Sequence, residues 1–206
     1  MELGYPQAIQ ELMDHLRSLP GIGRRTAERM ALEIYQWDPP RTAAFAETLR
    51  TLHDRVGICR ECGNLADTEA GLCPICAAPV RDRTSICVVE TPSQIRVMEA
   101  AGAFRGVYHV LGGRIAPLEG KTAEQLAIPS LCDRITASKI QEVILALSPD
   151  VEGQATTIYL SRILKKMNVR ITMLARGLPA GSDLSYADPA TIAIALNARV
   201  GIDPES

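Results

Sequence analysis

"SICVVETPSQ", Ser85 to Gln94, is the stretch on which the fold turns. A β-branched apolar run ends on Glu90 and passes without a break into Thr91 and Gln94, which have capping-box spacing, with Pro92 at the first helical position. A strand therefore runs straight into a helix, the opening of a β-α-β unit. The run is apolar at successive positions, as in a strand buried on both faces of a sheet. The same pattern returns in "GVYHVL" from Gly106, "EVILAL" from Glu142 and "VRITMLA" from Val169. Between them, "TAEQ" from Thr122 offers a second capping box before a short helix. Leu160, Ile163, Leu164 and Met167 share one helical face. Asp188 and Pro189 open a last apolar helix through Ala198, in which Ile192 to Leu196 form either a subunit contact or ordinary core. The expected architecture is a multi-domain α/β chain with a mainly parallel sheet and a C-terminal helix.

Upstream of the sheet, residues 1–56 read as all-helical. Ile9, Leu12, Met13 and Leu16 recur at helical spacing, as do Ala27, Met30, Ala31 and Ile34. "LPGIG", ending at Gly23, links the two helices, and Asp38 before Pro39 and Pro40 starts a third with Phe45, Leu49, Leu52 and Val56 on one face. Gly21 and Gly23 around one apolar residue make a tight turn that leaves backbone N–H groups open at the start of the second helix, where the helix dipole favours phosphate. Arg24, Arg25 and Arg29 add positive charge there. Arg17 to Arg29 holds four arginines against Glu28, whereas residues 1–56 carry seven basic and eight acidic side chains, so the charge is focused at the tip. The alternative is a helix-packing element with solvated arginines.

Between helices and sheet lies "CRECGNLADTEAGLCPIC", with Cys59, Cys62, Cys73 and Cys76 in two C-x-x-C pairs. Paired knuckles offer four sulfurs to one tetrahedral ion, and Gly63 and Pro74 suit the turns. A closed four-thiolate shell leaves zinc no open position, so the metal holds structure. The competing readings are a redox pair or two disulfides. Cys87 and Cys132, in apolar contexts, read as core.

Composition sets the outer limits. The chain has 206 residues, 47% of them hydrophobic, and a formal net charge of -2, so any nucleic-acid contact has to be local. No apolar run reaches the length of about 18 residues that a membrane span needs, and the thiol pairs fit a reducing compartment, which together point to the cytoplasm.

The sheet also places acids. Glu90 ends the first parallel strand, and Asp150 and Glu152 follow the third in "SPDVE". Strand ends in an open α/β sheet gather ligands, so the three carboxylates either converge on magnesium or cap helix N-termini beside the sheet edge.

The hairpin tip resembles the helix-hairpin-helix module, a sequence-independent binder of DNA backbones. The acidic sheet edge resembles a Toprim domain, in which one glutamate acts with a D-x-D-x-E group; Ser148 stands here at the first aspartate. Tip, four-cysteine module and sheet, in that order over essentially the whole chain, resemble the RecR family of bacterial recombination mediators. The resemblance implies a non-enzymatic protein that acts with RecO and RecF in loading RecA at gapped DNA. It also implies assembly as homodimers and ring-like homotetramers that encircle DNA. On it, Arg25 and Arg29 match DNA-contacting positions, and Arg24 stands where many members have proline. Glu90 and Glu152 match a face that meets RecO, and Asp150 is often not acidic. The implied divisions are 1–56 helix-hairpin-helix, 57–80 zinc finger, 81–178 Toprim and 179–206 C-terminal helical region. Two other classes stay open: a magnesium-dependent Toprim enzyme acting on phosphodiesters, and a protein-only scaffold.

Overall fold

A computed structural model describes residues 4–179, 181, 183–199 and 201. The chain forms two compact units, Met1–Val56 and Gly57–Ser206.

In the first unit, α1 (Gln7–Arg17) and α2 (Arg24–Tyr35) pack through Leu16, Ala27 and Ala31, with Ile9, Leu12, Met13, Ile22, Met30 and Ile34 around them. Both alanines are fully buried, so the helices approach closely where a larger side chain would hold them apart. Asp38 caps α3 (Pro39–Arg55) by accepting from Arg41 N at 2.9 Å. The apolar face expected on this helix exists, but it is uncovered: Phe45, Leu49 and Leu52 are exposed, Leu49 at 57%. Val56 does not belong to it. Its backbone turns extended at φ -114° and ψ 119°, ending the helix and opening β1 (Val56–Ile58).

In the second unit, β1 pairs with β2 (Leu65–Asp67) in a two-stranded sheet, followed by the single turn α4 (Pro74–Ala77). The remaining strands are β3 (Asp82–Val89), β4 (Gly106–Val110), β5 (Glu142–Leu145) and β6 (Arg170–Met173). They lie in the order β4-β3-β5-β6, every pair parallel. Helices α5 (Pro92–Ala101), α6 (Ile128–Ala137) and α7 (Val151–Leu164) make the crossovers, and α8 (Pro189–Asn197) follows the sheet.

The alternation of side chains divides the core cleanly. Ile86, Val88, Val107, Val143 and Leu145 face α6 and α7, whereas Cys87, Val89, Tyr108 and Val110 face α5 through Ile95. Two covered faces explain the uninterrupted apolar runs. Cys87 sits in the α5 layer, where burial pushes its thiol up to about 12, and Cys132, on α6, packs partly buried against the opposite layer. The second capping box serves less than its sequence implied. It closes one 3-10 turn, Ala123–Gln125, and α6 starts afresh at Ile128. Leu126, extended at φ -88° and ψ 149°, separates the two, and Pro129 sits in the first turn of α6, where its missing N–H costs no helical hydrogen bond.

From β3 the chain leaves through α5 to the edge strand β4, and from β5 through α7 to β6 on the other side. With α5 on one face and α7 on the other, the crevice between the carboxyl ends of β3 and β5 is the topological switch point of the sheet.

Candidate functional site: hairpin tip, thiolate cluster and sheet edge

Three places carry chemistry, and each is built by local geometry. At the hairpin tip, Gly21 has φ +80°, a left-handed conformation that favours glycine, and Ile22 N donates to the Leu19 carbonyl at 3.2 Å to close the turn. Gly23 is the N-cap of α2, and no atom lies within 4 Å of where a Cβ would stand on it or on Gly21. The mouth of the turn is therefore open to a ligand backbone. Arg24, Arg25 and Arg29 are exposed on α2, the last two one turn apart on one face. None of the three has an ion pair or hydrogen bond from its side chain among the described residues. Glu28, the one acid of the tip, accepts from Tyr5 Oη at 2.6 Å. Arg24 differs from its neighbours in lining a cavity with Arg17 and Asp14.

In the thiolate cluster, Cys59, Cys62, Cys73 and Cys76 are all buried, and their sulfurs lie within 4.8 Å of one another. Cys62 and Cys73 Sγ are 3.6 Å apart, close to the edge of about 3.8 Å in a tetrahedron with zinc–sulfur bonds of about 2.3 Å. Burial acts to raise the Cys59 thiol, but backbone N–H groups from Cys73, Cys62 and Glu61 outweigh it and bring it down to about 7. Cys76 is driven the other way, first by its hydrogen bond to Cys62 and then by burial. Four buried sulfurs in one shell thus need a cation to ionise together, and the donor set fits a closed structural zinc. Such an ion supplies a cross-link and no reactive position. The Cys62 carbonyl accepts from Val110 N at 2.7 Å, which fastens the module to the sheet edge.

At the switch point two of the three acids are already occupied. Glu90 is only 7% exposed, and its Oε1 accepts from Ser148 N at 2.6 Å. Asp150 caps α7, accepting from Gly153 N at 2.8 Å, and its other oxygen pairs with Arg114. Glu152 lies in the first turn of α7, half-buried. The structure does not bring these three carboxylates together as a metal-sized cluster; among the described residues, the four cysteines alone form one. Arg114 was not singled out by sequence. It follows Gly112 and Gly113, both with positive φ, at the end of β4, and a glycine pair leaving a parallel strand is the signal that marks such a loop. Its guanidinium sits beside Asp150, where a bound cation would otherwise balance the charge.

A glycine-turned hairpin, a four-thiolate module and a parallel sheet with an acidic switch point define a helix-hairpin-helix, zinc-finger and Toprim protein. Family models match in the same order: the RecR helix-hairpin-helix over 9–53, the RecR four-cysteine zinc finger domain over 56–78, the Toprim domain over 84–175 and the RecR C-terminal region over 177–200. Recombination protein RecR of Acidothermus cellulolyticus is 44% identical over 199 residues, covering 97% of this chain and 99% of the relative. Recombination protein RecR of Rhodopirellula baltica is 44% identical over 196 residues, covering 95% and 98%. That of Chloroflexus aggregans is 45% identical over 191 residues, covering 93% and 92%. The chain belongs to the RecR family of recombination proteins. Its role in recombinational repair, its interaction with DNA and its structural zinc follow from that membership together with the site geometry.

Proposed function

We propose that this protein is a non-enzymatic clamp that grips DNA without regard to sequence and acts with RecO and RecF to load RecA at gaps. The hairpin tip carries the reading. Arg25 and Arg29 project from one face of α2 without described partners, beside an open glycine turn and a helix N-terminus. Such a tip suits phosphate oxygens and carries no base information. Arg24, at the rim of the Arg17 cavity, is a secondary contact.

Self-assembly into a dimer or ring-like tetramer is supported by two uncovered apolar surfaces. One is the exposed face of α3; the other is α8, which buries no residue and leaves Ile194 and Leu196 exposed. A ring multiplies several weak phosphate contacts on one strand or duplex, so a chain with net charge -2 still holds DNA. Catalysis is not part of this reading, because the Glu90 carboxylate is engaged by Ser148 N–H and Ser148 itself replaces an acid. The exposed side of that edge, with Glu152, is the surface offered to RecO. Zinc held by thiolates suits a reducing, cytoplasmic setting.

The test is DNA affinity by fluorescence anisotropy across a salt series. The paired substitution Arg25→Ala and Arg29→Ala is expected to weaken binding and flatten its log–log salt slope by about 0.9 for each phosphate no longer neutralised, with zinc content unchanged. Wild-type affinity and slope in the double variant would overturn the hairpin assignment.

A further inference from the structure

Beside the zinc module, the second unit holds a cleft of about 310 Å³ lined by Arg60, Glu61, Arg83, Arg134, Ser130 and Ser138 over an apolar floor. Three arginines and one carboxylate line it. Glu61 Oε2 lies 3.3 Å from Arg83 Nη1 and 3.7 Å from Arg134 Nη2, so one negative charge is shared between two cations. Backbone carbonyls hold both of those arginines in place: Arg134 Nη1 donates to the Tyr108 carbonyl at 2.6 Å, and Arg83 Nη2 donates to the Cys76 carbonyl. Arg134 is 13% exposed, which strengthens its field in the cleft. Arg60 is exposed and has no ion pair or hydrogen bond from its side chain among the described residues, and neither has the Ser138 hydroxyl.

A purely structural role, stapling the zinc module to the sheet, accounts for Arg83, Arg134 and Glu61. It leaves Arg60 unexplained, together with an excess of two positive charges in one small cleft. We propose that this cleft binds a phosphate group, with Arg60 as the free fork and Arg83, Arg134 and Ser138 as its fixed surroundings. The donors come from three separate elements, the zinc knuckle, β3 and the end of α6. Convergence from several directions suits a tetrahedral oxyanion, whereas a planar carboxylate is satisfied by one guanidinium fork. The phosphate is either a DNA backbone phosphodiester or a free phosphate group. The site adds to the hairpin reading and does not depend on it.

The experiment compares full-length wild type, Arg60→Ala, and the Arg25→Ala and Arg29→Ala double variant. Melting temperature is followed by far-UV circular dichroism in inorganic phosphate against chloride of equal ionic strength. Phosphate is expected to raise the melting temperature of wild type and the hairpin variant, with the rise abolished in Arg60→Ala at unchanged zinc content. The anisotropy salt series then separates the sources. A slope shallower by about 0.9 in Arg60→Ala, the value for one phosphate, assigns the site to DNA, and an unchanged slope assigns it to a free phosphate group. A rise of equal size in Arg60→Ala, or none in wild type, would overturn the proposal. So would a rise given by polyglutamate and not by phosphate, which would mark an acidic protein segment as the occupant. Failure of the hairpin variant to lose DNA affinity would bear on the hairpin alone.

Discussion

Gly153→Ala tests the packing that holds the switch point together. On an open helix this change stabilises by about 1 kcal/mol, because alanine has less backbone freedom to lose. At Gly153 the new Cβ would stand 2.1 Å from the Ser148 carbonyl oxygen and 2.9 Å from its carbon. Both are backbone atoms, so relief requires the turn before α7 to move away. That turn presents the N–H that Ser148 donates to Glu90 at 2.6 Å. Overpacking costs about 1–3 kcal/mol, and a weakened hydrogen bond to a buried carboxylate adds about 1 kcal/mol. Set against the propensity gain, the net destabilisation is about 2 kcal/mol, which at an m-value of about 2 kcal/mol/M lowers the urea midpoint by about 1 M. Two probes locate the effect. The single tryptophan, Trp37, lies in the first unit, so its fluorescence transition should stay in place while the far-UV transition of the larger unit moves down. A far-UV midpoint equal to or above wild type would refute the steric reasoning.

Glu90→Ala removes the acceptor from Ser148 N and leaves a backbone donor unsatisfied, at a cost of about 1–3 kcal/mol, whereas Glu90→Gln keeps an oxygen there and should cost less; urea melts of the two variants check the order. Chelating the zinc should make Cys59, Cys62, Cys73 and Cys76 reactive to a thiol reagent, while Cys87, wholly buried in the sheet, stays protected until the second unit melts. His109 is 2% exposed, with Nε2 at 2.8 Å from the Ala127 carbonyl, and burial, aided by Arg134, lowers its pKa from 6.5 to about 4. The unfolded chain therefore takes up this proton first as pH falls, so stability present above pH 6.5 is lost down to about pH 4, by about 3 kcal/mol at most. His109→Leu should flatten that part of the stability–pH profile, and an unchanged profile would show that the imidazole is not held neutral.

Much of the fold was legible because its signals are local. Thr91, Pro92 and Gln94 announce the β3–α5 junction: Gln94 Oε1 accepts from Glu90 N at 2.7 Å and from Thr91 N at 3.2 Å. Asp38 and Asp188 likewise cap the helices they were expected to open. The cysteine spacing forecast the sulfur cluster because two short turns set ligand positions almost unaided. What depends on distant contacts was not legible. Periodicity put Phe45, Leu49 and Leu52 on one face but could not say that this face stays exposed. The carboxylates were seen but not their engagement, since Glu90 and Ser148 meet across 58 positions of sequence and Arg114 and Asp150 across 36. Arg60 and Glu61 fill the two variable positions of the first C-x-x-C pair and Arg83 and Arg134 belong to no motif, and only the docking of the zinc module beside β4 brings the four to one cleft.

The clamp itself is tested most directly by retention on DNA of two topologies. Protein is loaded onto gapped circular DNA, challenged with high salt to remove protein held by charge alone, and counted before and after the circle is cut once. Encirclement requires that protein survive the salt on closed circles and leave when an end is created. Equal loss from circular and linear DNA at every salt concentration would contradict a ring that holds DNA by enclosing it.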